Sequence, residues 1–144
     1  MRPATLALVL VTVAASACVG HAIQQSHIDG NVPPPGEFAR LLQRDLDAYF
    51  GTALAPSGHV KVEMLRDGPT QSGVSYPKYY VWVTVPLSGG GTRQGAARLA
   101  AVDKERFAVT DFLSYEEVKQ NPQRIYRTFP KPVCERINSK VGVQ

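Results

Sequence analysis

Two cysteines, three histidines and twelve acidic residues carry whatever reactive chemistry this chain of 144 residues holds. A cysteine nucleophile needs a base close to its sulfur, yet Cys134 stands far along the chain from His59 and no local signature joins them. His21 and His27 are six positions apart, with no cysteine or acidic residue at metal-ligand spacing, so no metal is expected. Asp45, Asp47, Asp103, Glu105, Asp111, Glu116 and Glu117 fall where helix surfaces, caps and turns are expected, and ordinary solvated carboxylates suffice there. Gly89, Gly90 and Gly91 do not form a phosphate loop: no Lys-Ser or Lys-Thr follows, and the flanking segments have strand patterns. The sequence therefore predicts neither an enzyme nor a bound cofactor.

Cys18 is the exception, because of what precedes it. Arg2 supplies a positive charge, and Ala4 to Ala17, "ATLALVLVTVAASA", is an uncharged apolar run of about 14 residues closed by small side chains. This is the layout of a secretory signal, too short for the roughly 18 to 20 residues of a transmembrane helix. The stretch "AASAC" resembles the lipobox of bacterial lipoprotein precursors, which implies cleavage before Cys18 and acylation of its thiol. Cleavage after Ala17 without acylation would leave a thiol able to pair with Cys134. Cleavage after Ala22 would discard Cys18 altogether. The expected organisation is a signal peptide over 1–17, a flexible Pro-containing linker over 18–36 and one domain over 37–144. The expected place is the cell envelope, lipid-anchored to a membrane facing the periplasm; the alternative is a soluble periplasmic or secreted protein.

The elements that must position these residues follow from hydrophobic period. "EFARLLQRDLDAYFG" sets Phe38, Leu41, Leu42, Leu46, Tyr49 and Phe50 at helical spacing, with Gly51 at the end. "HVKVEML" alternates as a half-buried strand, and "YYVWVTVPL" is a run of aromatic and β-branched residues suited to an inner strand. "AARLAAV" and "FAVTDFL", joined by "DKER", predict two more strands, so the sheet is a four-stranded antiparallel meander. Ser114 with Glu117 forms a capping-box pattern, and a last helix starting near Pro132 aligns Val133, Ile137 and Val141, with Cys134 beside them. The fold class is α+β, and one helix followed by a meander resembles the cystatin-like and NTF2-like folds.

The net charge of +4 is dispersed among acids, and no nucleic-acid partner is expected. Tyr76, Tyr80 and Trp82 are the candidate partner-binding residues: if Tyr79 shares the inward side with Val81, Val83 and Val85, then Tyr80 and Trp82 point the other way, unless the C-terminal helices cover them. The expected function is a non-catalytic protein-binding module of the cell envelope, either an assembly factor of a secretion or envelope machine or an immunity-type inhibitor. The alternative is a carrier holding a small molecule in a cavity between sheet and helix.

Overall fold

The computed structural model describes residues 20–143. Cys18 and the apolar run before it lie outside the described residues. The chain folds as α1 (residues 20–31), α2 (Pro35–Phe50), β1 (Lys61–Met64), β2 (Lys78–Pro86), β3 (Thr92–Val102), β4 (Arg106–Ser114), α3 (Tyr115–Gln120), a 3-10 segment (Pro122–Arg127) and α4 (Lys131–Val141). The four strands pair antiparallel in the order β1-β2-β3-β4, an α+β meander. Among the described residues no helix is long and apolar enough to cross a membrane.

Strand alternation sends β2 side chains into two different cores. Tyr79, Val81, Val83 and Val85 meet Leu41, Leu42, Leu46 and Phe50 of α2 on one face. Tyr80 and Trp82 meet Val118, Ile125, Phe129, Val133 and Ile137 on the other. The sheet is thus the middle of three layers, which explains why β2 reads as an almost continuous apolar run. Fully burying a residue such as Leu46 or Ile137 contributes about 1.5–3 kcal/mol.

Local chemistry fixes the remaining elements. Pro35 suits the first turn of α2, and Gly51 supplies the positive φ of +48° that ends it. Both halves of the capping box at α3 are present: Ser114 Oγ accepts from the Glu117 amide, and Glu117 accepts from the Ser114 amide at 2.8 Å. Gly95 lies under the Phe112 ring, where a Cβ would stand only 2.4 Å from the Leu113 carbonyl. Between Arg98 and Leu99 the register with β4 slips by one residue, and Arg98 secures the bulge through Asp111 at 2.8 Å and the Thr110 hydroxyl at 3.1 Å.

Part of the segment expected as a flexible linker is helical. Residues 20–31 are helical, and only the short stretch around the prolines is extended. Gln25 donates to Asp29 one turn on, at 2.8 Å, and Gln24 reaches the Gln71 carbonyl at 3.0 Å. The end of α1 is docked by Asn31: its Oδ1 accepts from the Asp103 amide, and its carbonyl accepts from the Lys104 amide at 2.9 Å. Few apolar residues mark this helix, because polar contacts rather than an apolar stripe hold it to the domain.

Candidate functional site

Cys134, Asp45, Asp47, Asp111 and Glu117 are occupied by structural tasks. Cys134 is fully buried, its thiol donates to the Phe129 carbonyl at 3.2 Å, and burial pushes its pKa up, the opposite of what a nucleophile needs. His59 is nowhere near that sulfur's core; its Nδ1 lies 2.8 Å from Asp47 Oδ2. That contact has the form of an acid–base dyad, but Asp47 Oδ1 also accepts from the Val60 amide at 2.8 Å and from Gln43 at 2.9 Å. The His59 side chain is 74% exposed, not desolvated in a cleft. Asp47 thus ties α2 to the start of β1. Asp45 does the same for β4, accepting from the Phe107 amide at 2.7 Å. Asp111 holds Arg98, and Glu117 caps α3. Among the described residues no group of three or more His, Cys, Asp or Glu converges as metal ligands would.

The aromatic residues expected to face a partner are split by the fold. Tyr80 and Trp82 do point away from α2, but the C-terminal helices cover them and leave each about 5% exposed or less. Their polar handles are used internally: the Tyr80 hydroxyl lies 2.6 Å from Thr70 Oγ1, and Trp82 Nε1 donates to Gln94 at 3.2 Å. They are core residues of the third layer. Tyr76 alone of the three is exposed, in the loop before β2 beside exposed Val74.

Among the described residues, two surface hollows are lined by more than one cation. The larger, about 640 Å³, is open and lies where α2 meets the β3–β4 turn, between Pro34, Arg40, Arg44, Lys104 and Arg106. Two of its four cations are paired, Arg40 with Glu37 and Arg44 with Asp45, and Glu105 lines the same hollow. The second, about 300 Å³, is lined by Asn121, Gln123, Arg124 and Arg127 on the outer side of the 3-10 segment. Here the sequence is one-sided, since residues 118–134 hold Lys119, Arg124, Arg127 and Lys131 and no carboxylate. Arg124 reaches Glu117 at 3.3 Å, whereas among the described residues Arg127 and Lys131 form no ion pair. Tyr126, between the two arginines in sequence, is 48% exposed. This acid-free window was available in the sequence; averaging charge over the whole chain hides it.

Fold and surface together define a class: a small α+β domain with a meander closed on both faces and its charged features on the outside. No family model matches the chain, and no curated protein or solved structure does either.

Proposed function

We propose that this chain is an exported, lipid-tethered cell-envelope domain that works by binding another protein and not by catalysis. The observation that carries this reading is the closure of both sheet faces by packed side chains. Recognition is thereby left to the outer surface, and Cys134, Asp45, Asp47, Asp111 and Glu117 serve as core, ties and a cap. A carrier would need its cavity between α2 and the sheet, where Leu42, Leu46 and Phe50 instead meet Val81, Val83 and Val85. The lipobox-like "AASAC" supports the tether, with Cys18 acylated and the domain held at a membrane facing the periplasm.

In a bacterial host given labelled palmitate, the wild-type precursor should take up label and fractionate with membranes, and Cys18→Ser should do neither. Unlabelled wild type, or a Cys18→Ser protein that stays membrane-bound, removes the tether. A photo-crosslinking residue walked over exposed positions of the tethered domain should give a discrete protein adduct from one face; adducts from none contradict protein binding.

A further inference from the structure

The binding reading leaves open which face is used and what chemistry it recognises. Three surfaces compete. Tyr76 and Val74 expose apolar area, but the cation beside them, Lys78, is turned back on the Tyr76 carbonyl at 2.8 Å. The hollow at Pro34, Arg40 and Lys104 is larger, but carboxylates share its lining: Arg40 is paired with Glu37 and Arg44 with Asp45, and Glu105 stands beside Lys104 and Arg106. The hollow on the face built by the 3-10 segment and the start of α4 is lined by Arg124 and Arg127 with no carboxylate between them.

That face is fixed from beneath. Ile125 and Phe129 are buried in the core of the third layer, and the Thr128 carbonyl accepts from Arg98 at 3.3 Å, so the backbone carrying Arg124, Tyr126 and Arg127 is anchored to the sheet. The hydroxyl of Tyr126 accepts from the side-chain Nδ2 of Asn138 on α4 at 3.2 Å, which restrains the ring while leaving much of it in solvent. Restrained Tyr and Arg side chains are the types that dominate protein interfaces, because they offer area and directed donors at small entropic cost. Arg127 and Lys131 hold charge that no described ion pair neutralises. Asn121 and Gln123 add amide groups in the same hollow, able to bond a peptide backbone.

We propose, resting on the protein-binding reading above, that this face docks a carboxylate-rich segment of a partner protein. Its Asp or Glu side chains lie against Arg124, Arg127 and Lys131, and its backbone lies in the hollow between Asn121 and Gln123. The arginine forks match carboxylates geometrically. Residues 1–19 contain no Asp or Glu, so the chain's own leader does not supply the complement.

The test uses the full chain in detergent and a fluorescein-labelled dodecapeptide of alternating Glu and Ala, read by anisotropy. Binding should be at least tenfold tighter than to the matching Gln/Ala peptide and should weaken with added salt. Arg127→Glu combined with Lys131→Glu should weaken it at least tenfold and raise affinity for a Lys/Ala peptide. Both positions are exposed, and unchanged Trp82 fluorescence would show that the variant keeps its fold. Tyr126→Ala should weaken binding several-fold. Equal affinity for the Gln/Ala peptide, or an unaffected folded double variant, overturns the proposal. So does tighter binding to a single-stranded oligonucleotide or to phosphatidylglycerol vesicles than to the acidic peptide. Crosslinking in cells separates this failure from that of the broader reading: adducts from Thr52, on another face, with none from Gln123, leave protein binding standing and remove this site.

Discussion

Asp47 illustrates how a residue that looks catalytic becomes structural through its surroundings. Burial alone would push its carboxyl up, but hydrogen bonds from the Val60 amide, His59 and Gln43 outweigh that and hold it below the ordinary carboxylate range. Glu117 is likewise held low, chiefly by the Ser114 amide. Because the folded state binds protons less readily than the unfolded chain at both sites, each contributes stability above the ordinary carboxylate pKa of about 4. That contribution is lost as pH falls through the depressed folded values. Asp47→Ala should therefore cost about 1–3 kcal/mol at pH 7, since it strands the Val60 amide, and should make the acid dependence shallower. Urea unfolding at pH 7 and pH 3 checks both; a variant as stable as wild type at pH 7 would show that the α2–β1 tie is dispensable.

At the scale of elements, the turn between β3 and β4 links the domain to α1. Asp103 and Lys104 both have positive φ, +52° and +62°, where Gly or Asn is usually found. The Asn31 side chain and carbonyl hold the two amides in place, and Asn31 Nδ2 in turn donates to the His27 carbonyl at 2.8 Å. Asn31→Ala should release α1 with a loss of global stability near 1 kcal/mol. The amides of Asp103 and Lys104 should exchange with solvent faster, and proteases should cut residues 20–31 more readily. Unchanged exchange at both amides would mean that the turn holds itself. This contact also shows what the sequence could not convey. The periodic elements α2, β1 to β4 and α4, and the capping box at Ser114, were legible because each signal is local to its element. Helix α1 was not, because its support comes from a turn more than seventy positions away. The fate of Tyr80 and Trp82 depended in the same way on a distant partner: alternation gave their direction, but only packing decides whether that direction meets solvent or α4. Within the candidate site, the arginines and Tyr126 stood in view as an acid-free window, while their anchoring by Ile125, Phe129 and Arg98 required the assembled sheet.

At the scale of the whole molecule, one sheet is shared by two cores, and among the described residues both of its faces are covered. Alternate residues of β2 belong to the two sides, so loosening either helical layer weakens the strand on which the other rests. Total stability of domains this size is about 5–15 kcal/mol, whereas a Leu or Ile truncated to Ala in a core costs about 2–5 kcal/mol. Leu46→Ala, in the layer of α2, and Ile137→Ala, in the layer of α4, should each remove a large share of that stability. The single tryptophan, Trp82, reports on the α4 side, and far-ultraviolet circular dichroism reports on the whole backbone. If the layers unfold as one unit, both probes should give one coincident urea midpoint in wild type and in both variants, shifted downward in each variant. Were Ile137→Ala to shift the Trp82 transition and leave a second, later loss of backbone structure, the C-terminal helices would be a separable cover. Tyr80 and Trp82 would then become exposed in that intermediate, and their aromatic face would return as a conditional binding surface, distinct from the arginine face that the folded domain presents.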